Sequence, residues 1–432
     1  MLQEFRVTNF GSIREEQAIS FVPGKDAQMV ESYTHEVRPG TRLLKIGILY
    51  GSNASGKTTV LEALDFFREM MVRKPAAKSD GMGFAPFLLD AQSRHEPTRM
   101  EMTFYLQGRR HVLTITFNTQ RITEEKLSVY TTTQPSLVYR RTYDEATDHS
   151  QVVFGGQAGL SSQSKTAIAG NTTNNCSVVA ACASTNVERS PLSAVSDYFR
   201  EGMAPLLFPS MSMLSYVKMR LKNTSDHALK PFILQLMKAS DFNIADIGLE
   251  EHETPIDAET LQTLQATPMP EQMRNSIIAR GAIRHQELTF AHSAEGGTYT
   301  LGEEQESRGT QRFIGMAMLL YQLVKGNVLI PIDEVEASLH YELLRYFIQL
   351  FLYNSEGSSQ LLLTTHDLSL LDEDFIRRDV IYFTDKDSAG ATSIRRLSHM
   401  GLHNTLSPYN AYRQGKLVSL PFLGTLSLHL ND

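Results

Sequence analysis

The chain has 432 residues, which on a soft prior of about 150 residues per domain gives two to three domain-sized units. Hydrophobic residues make up 41% and charged residues 21%, enough apolar material for a sizeable core. Lys and Arg number 41 against 48 Asp and Glu, and the net charge of −7 argues against a general nucleic-acid coat protein.

Only two cysteines occur, Cys176 and Cys182, which excludes a disulfide framework and a cysteine-rich zinc site and fits a reducing compartment. No apolar run reaches the length of a membrane span, so a transporter carrying its own pore is excluded. The opening MLQEFRVTNF lacks the sections of a signal peptide, and its Phe5/Val7 alternation reads as a first strand. A cytoplasmic protein is the expectation.

Residues 43–50, LLKIGILY, form an apolar run ending at a glycine and read as a buried strand. A glycine-containing loop follows, then a helix over 58–74 with Val60, Leu64, Phe67 and Met71 on one face, stopped by Pro75. From about 99 to 143 the period changes to two, as in Met100/Met102/Phe104 and Val112/Thr114/Thr116, which predicts antiparallel strands. Residues 155–177, rich in Gly, Ser, Thr, Asn and Gln, read as a loop or linker. About a hundred residues of helical character follow, with an acidic stretch over 246–259 and no long heptads. After Leu288 the pattern returns to alternation: a strand at 328–333, a helix over 340–353 and a strand at 361–366, which implies a parallel sheet. The expected domains are 1–150, a linker and helical insertion over 151–287, and 288–432.

Gly51-Ser52-Asn53-Ala54-Ser55-Gly56-Lys57-Thr58, followed by Thr59, matches G-x-x-x-x-G-K-[ST] between a predicted strand and a helix. Glycines let backbone N–H groups face phosphate oxygens, and the helix N-terminus adds partial positive charge. Lys57 is placed to neutralise the β- and γ-phosphates of ATP, and the Thr58 hydroxyl to ligate Mg²⁺. The strand at 328–333 ends in Asp333-Glu334. Asp333 is the expected second Mg²⁺ ligand and Glu334 the group that orients and activates a water. Pro331 is awkward there, because a central strand loses a ladder bond at proline. His366 ends the next apolar run 33 residues after Asp333, so adjacent parallel strands would place both tips on one sheet edge. There His366 could donate to the γ-phosphate. Ser307 and Gly309, in ESRGTQ before an apolar helix, read either as a second phosphate-binding cap or, taken in isolation, as a plain helix cap.

This order of phosphate loop, S-x-G-T-Q, acidic tip and T-T-H-D resembles the ATPase heads of the ABC superfamily, in the branch with SMC proteins, RecF and the OLD ATPases. The opening FRVTNFGSI at 5–13 is similar to that branch's first strand. PFLLD at 86–90, HDLSLLD at 366–372, FTDKD at 383–387 and YRQG at 412–415 resemble more narrowly the RloA and AbiL kind of anti-phage, abortive-infection ATPases.

The resemblance implies an α/β P-loop head, a mixed sheet with flanking helices and an antiparallel β section, and an inserted helical subdomain. It implies a head-to-tail homodimer in which Ser307 and Gly309 cap the partner's ATP, and a D-loop at Glu336-Ala-Ser338-Leu339-His340. Position 11 is Gly where Arg is usual, and Gln92 is a glutamine-loop candidate by position only.

Only 66 residues follow His366, too few for a Toprim nuclease domain, so the expected role is a sensor or scaffold controlling a separate nuclease or toxin. A nucleic acid or a phage protein is the expected trigger. The competing reading is a DNA-repair or chromosome ATPase using basic clusters at Arg109–Arg110, Arg140–Arg141, Lys218/Arg220/Lys222 and Arg377–Arg378. A third is an ATPase stalk for a membrane partner, disfavoured by the long insertion.

Overall fold

The computed structural model describes residues 1–208, 213–222, 226–266, 271–337, 339–403 and 406–419. The chain forms two compact units, one of residues 1–209, 323–337 and 344–432, the other of 210–322 and 338–343.

The first unit opens with β1 (Leu2–Thr8), β2 (Gln17–Ser20), the single turn α1 (Val30–Tyr33) and the hairpin β3 (Thr34–Arg38)/β4 (Thr41–Leu44). β5 (Ile46–Tyr50) and α2 (Lys57–Val72) follow, so the apolar run at 43–50 is broken at Lys45 into two strands. Then come β6 (Thr98–Leu106), β7 (Arg109–Phe117), β8 (Ile122–Tyr130), β9 (Pro135–Asp144) and β10 (His149–Phe154). α3 (Ser162–Asn171), α4 (Val178–Ala183) and α5 (Pro191–Glu201) complete the N-terminal half.

The second unit carries α6 (Leu214–Lys222), α7 (Leu229–Ala239), β11 (Ile244–Pro255), α8 (Ala258–Ala266), α9 (Glu271–Arg280), β12 (Ala282–Ala294) and β13 (Gly297–Gly302). It also holds most of α10 (Arg308–Lys325). The chain returns to the first unit through β14 (Leu329–Ile332), α11 (Tyr341–Asn354), β15 (Gln360–Thr364), β16 (Ile381–Lys386), β17 (Thr392–Arg396) and α12 (Pro408–Arg413).

Two sheets build the first unit. Seven antiparallel strands run β10-β9-β8-β7-β6-β1-β2. Their period-two pattern buries Met100, Met102, Phe104, Leu113, Ile115 and Phe117 on one face. α2 lies against that face, with Phe67 edge-on to Phe5 and Phe66 beside Phe117. Five strands run β14-β15-β5-β16-β17, all parallel except β17 at the edge. All five residues of β5 are buried, as a strand covered on both faces requires. Among the described residues no helix is long and apolar enough to cross a membrane.

Pro331 is accommodated because its carbonyl, and so its ring nitrogen, faces away from β15. Leu207 N donates to Pro331 O, and Asp333 N donates to Leu207 O, so a short irregular segment at 203–207 runs beside β14 on that side. The missing N–H therefore costs the β14–β15 ladder nothing.

Two expectations are corrected. The polar stretch 155–177 is not a plain loop but contains α3, capped by the Ser161 hydroxyl accepting from Ser164 N. Its Asn and Thr residues pin neighbouring segments: Asn175 donates to Ala77 O and Asp80 O, and Arg141 donates to Thr173 O and Asn174 O. The acidic stretch at 246–259 is largely strand, so the insertion is not purely helical. β11 pairs with β12 over eleven register positions, and β13 adds a third strand. The acids there sit on solvated faces with cross-strand partners, as Glu253 does with Arg284, so no apolar alternation marks the strand.

Arg141 locks the antiparallel sheet to residues 173–178. Its guanidinium is fully buried, 3.7 Å from the buried Glu125 carboxylate, and donates to Cys176 O at 2.6 Å. Glu125 in turn accepts from Tyr139 Oη at 2.5 Å and from Val178 N. Removing one partner leaves the other charge buried and unpaired. Arg141→Met is therefore expected to lower stability by about 3–5 kcal/mol, and Glu125→Leu/Arg141→Met by less, measured by urea unfolding.

Candidate functional site

The parallel order places the C-terminal ends of β14, β15 and β5 side by side, and the sequence-predicted groups of the first unit gather there. The loop leaves β5 at Gly51, exposes Asn53 and Ala54, and enters α2 through Gly56, whose φ is +103°. Ala54 also adopts a positive φ, +61°. Such backbone turns successive N–H groups toward one concavity at the helix N-terminus, the geometry that holds phosphate oxygens. Ser52 borders this loop, while the Ser55 hydroxyl is buried against Thr384 at 2.6 Å.

Lys57 is buried and donates to Gly51 O at 2.9 Å and Ser52 O at 3.2 Å, using two of its three N–H donors. Burial pushes its ammonium below the ordinary lysine range, opposed by the charges of Asp333, Glu334 and Glu336. Thr58 Oγ1 donates to Asp333 Oδ2 at 2.9 Å. An octahedral Mg²⁺ with bonds of about 2.0–2.1 Å sets neighbouring oxygens about 2.9 Å apart, so these two atoms fit adjacent positions on such an ion.

The other oxygen of Asp333 accepts from Thr364 Oγ1 at 2.5 Å. The same hydroxyl accepts from Glu334 N at 2.8 Å. Glu334 has φ +44°, a left-handed conformation uncommon for a side-chain-bearing residue. It is held by that bond, by Val335 N donating to Thr364 O and by Ala337 N donating to Glu334 O. The strained turn aims the Glu334 carboxylate outward, 3.7 Å from His366 Nε2, with both side chains partly solvated. His366 N donates to Glu336 Oε1 at 2.6 Å, and Glu336 Oε2 is buried with no hydrogen-bond partner among the described residues.

Thr364 and Glu336 are thus hydrogen-bonding neighbours of the candidate residues that spacing alone does not disclose. Thr364 stands two residues before His366 and could have been suspected from T-T-H-D, whereas Glu336 carries no signal beyond its place in the D-loop segment. Ser338 of that segment lies outside the described residues. Gln92 is exposed and donates to Glu96 Oε1, a surface pair.

Ser307 and Gly309 belong to the second unit. Ser307 is exposed and caps α10, its hydroxyl accepting from Thr310 N at 3.0 Å. The basic cluster of that unit is internally neutralised: Lys218 pairs with Glu303, Arg220 with Asp226 and Lys222 with Glu251, each at 2.8–2.9 Å. In the first unit Arg140 pairs with Glu124, Arg110 lies over Tyr130, and Arg377 is buried on Asp379.

A Gly-rich loop closing on a buried lysine, beside a carboxylate bridged to the loop's own threonine, defines a P-loop nucleoside-triphosphate protein. Within that class, the family model described as "AAA domain, putative AbiEii toxin, Type IV TA system" matches residues 47–151 and 220–372, and the chain belongs to this family. No curated protein matches the chain. Solved structures similar to it include the SMC head domain from Thermotoga maritima (11% identity, 91% of this chain and 98% of that chain, TM-score 0.41). Another is an Smc head bound to the C-winged helix domain of ScpA (12% identity, 95% and 99%, TM-score 0.43).

Thr364→Val would strand both Asp333 Oδ1 and Glu334 N. It is expected to cost about 1–3 kcal/mol in urea unfolding, with Thr364→Ser costing clearly less.

Proposed function

We propose that this chain binds and hydrolyses ATP, with Lys57, Thr58, Asp333, Glu334 and His366 performing the chemistry. The observation that carries the reading is the Thr58–Asp333–Thr364–Glu334 chain of hydrogen bonds. It joins the phosphate loop to the acidic strand tip. Lys57 and the amides of Gly51–Thr59 take negative charge from the phosphates, with Lys57 releasing a carbonyl of its own loop to do so. Thr58 and Asp333 hold Mg²⁺, which when bound neutralises charge on the phosphate oxygens. Glu334 accepts a proton from the attacking water, and His366, 3.7 Å from that carboxylate, donates to the γ-phosphate.

Ser307, exposed just before α10, and Gly309, half-buried in its first turn, are read as the groups that cap the ATP of a second copy. The active form is then a head-to-tail homodimer of the ABC type with two ATPs. Its place in an abortive-infection family supports a role as a sensor or scaffold in anti-phage defence, in the cytoplasm. It would control a separate nuclease or toxin after a nucleic acid or a phage protein triggers it. The family description names a "putative AbiEii toxin" of a type IV toxin–antitoxin system, which fits a paired gene product. The ion-paired Lys218/Arg220/Lys222 cluster gives no support to a DNA-repair role.

Lys57→Ala is expected to abolish ATP binding in calorimetric titration. Glu334→Gln is expected to keep binding, lose turnover by about 10²-fold or more, and sediment as a dimer only with ATP. Normal hydrolysis by Glu334→Gln would remove Glu334 from the water-activating role.

A further inference from the structure

The phosphate loop does not hold its shape by its own bonds alone. Its inner side rests on the β16–β17 hairpin, more than three hundred residues away in sequence, through a set of hydroxyl groups. Thr384 of β16 bonds Ser55 Oγ at 2.6 Å and donates to Tyr50 O at 3.3 Å. Thr392 of β17 donates to Ser55 O at 3.0 Å and shares a 2.8 Å bond with Ser12 Oγ, which reaches Thr59 Oγ1 at 3.2 Å. Thr392 N donates to Ser12 O at 2.7 Å, so the opening segment is tied into the same set. Thr384 and Thr392 are both fully or nearly fully buried.

The two loop glycines mark how close this support comes. A Cβ at Gly51 would lie 2.2 Å from Thr384 Oγ1, and one at Gly56 would lie 2.2 Å from Thr392 Oγ1. The hairpin therefore sits where any side chain at either position would be, and the loop takes its path along the two hydroxyls.

We propose that Thr392 and Thr384 are positioning residues for nucleotide binding, holding Ser55 and Gly56 so that the loop amides converge on the phosphates. The inference rests on the ATP-binding reading above. Neither hydroxyl touches the concavity itself. They act through Ser55 and through the first turn of α2, where a small displacement of several N–H groups weakens every phosphate contact at once.

The test is ATP hydrolysis and calorimetric ATP binding by the full chain carrying Thr392→Val, Thr392→Ser or Thr384→Val, with Lys57→Ala alongside and melting temperatures for all. Expected for Thr392→Val is a KM and Kd for ATP raised about tenfold with kcat within about twofold, and recovery to within about threefold in Thr392→Ser. Thr384→Val should shift KM in the same direction. If Thr392→Val leaves KM and Kd within about twofold of wild type, or lowers kcat and melting temperature together at constant KM, the hairpin merely supports the fold and the proposal is overturned. Loss of binding in Lys57→Ala with unchanged binding in Thr392→Val would sink this inference alone. Undiminished binding in Lys57→Ala would sink the ATP-binding reading instead.

Discussion

One carboxylate carries the site. Asp333 is buried at the end of β14, one oxygen on the Thr58 hydroxyl and the other on that of Thr364. Through it the first turn of α2, the acidic strand tip and the end of β15 become one rigid unit. Thr364 extends the same bond network to Glu334 N and so sets the strained turn that presents the Glu334 carboxylate. Without Asp333, the hydroxyls of Thr58 and Thr364 lose their shared partner, and the side-chain link between the phosphate loop and the Glu334 turn is broken.

That arrangement is a consequence of strand order. β5 lies between β15 and β16, and β14 lies beyond β15, so the ends of the parallel strands β14, β15 and β5 lie side by side. Ligands in open parallel sheets bind at such C-terminal ends because helix N-termini and exposed loop amides collect there. The seven-stranded sheet supplies none of the candidate site residues. It supplies the apolar face on which Phe66 and Phe67 seat α2, and with it the helix end that faces the phosphates.

Much of this was legible in the chain itself. The G-x-x-x-x-G-K-T loop, the apolar run into Asp333-Glu334 and the run into His366 each carry a strong local pattern, and the register of β14, β15 and β5 brings them together. The parts that were not legible depend on hydroxyl groups. Ser12, Thr364, Thr384 and Thr392 sit in segments whose periodicity reports only strand and burial, and nothing in a Thr distinguishes a solvated one from one that bridges two loops. α3 was hidden for a related reason: Ser and Asn read as loop formers, yet here they cap helices and tie segments together. The β11–β12 ribbon escaped because its charged residues pair across strands and leave no apolar stripe.

The most direct measurement is Mn²⁺ binding followed by electron paramagnetic resonance, with and without ATP, in the wild-type chain and in Asp333→Asn. The account predicts one tightly bound Mn²⁺ per chain that appears only with ATP and is lost or greatly weakened in Asp333→Asn. An ATP-dependent Mn²⁺ signal of equal affinity in both proteins would show that Asp333 is not the group on which the site is built.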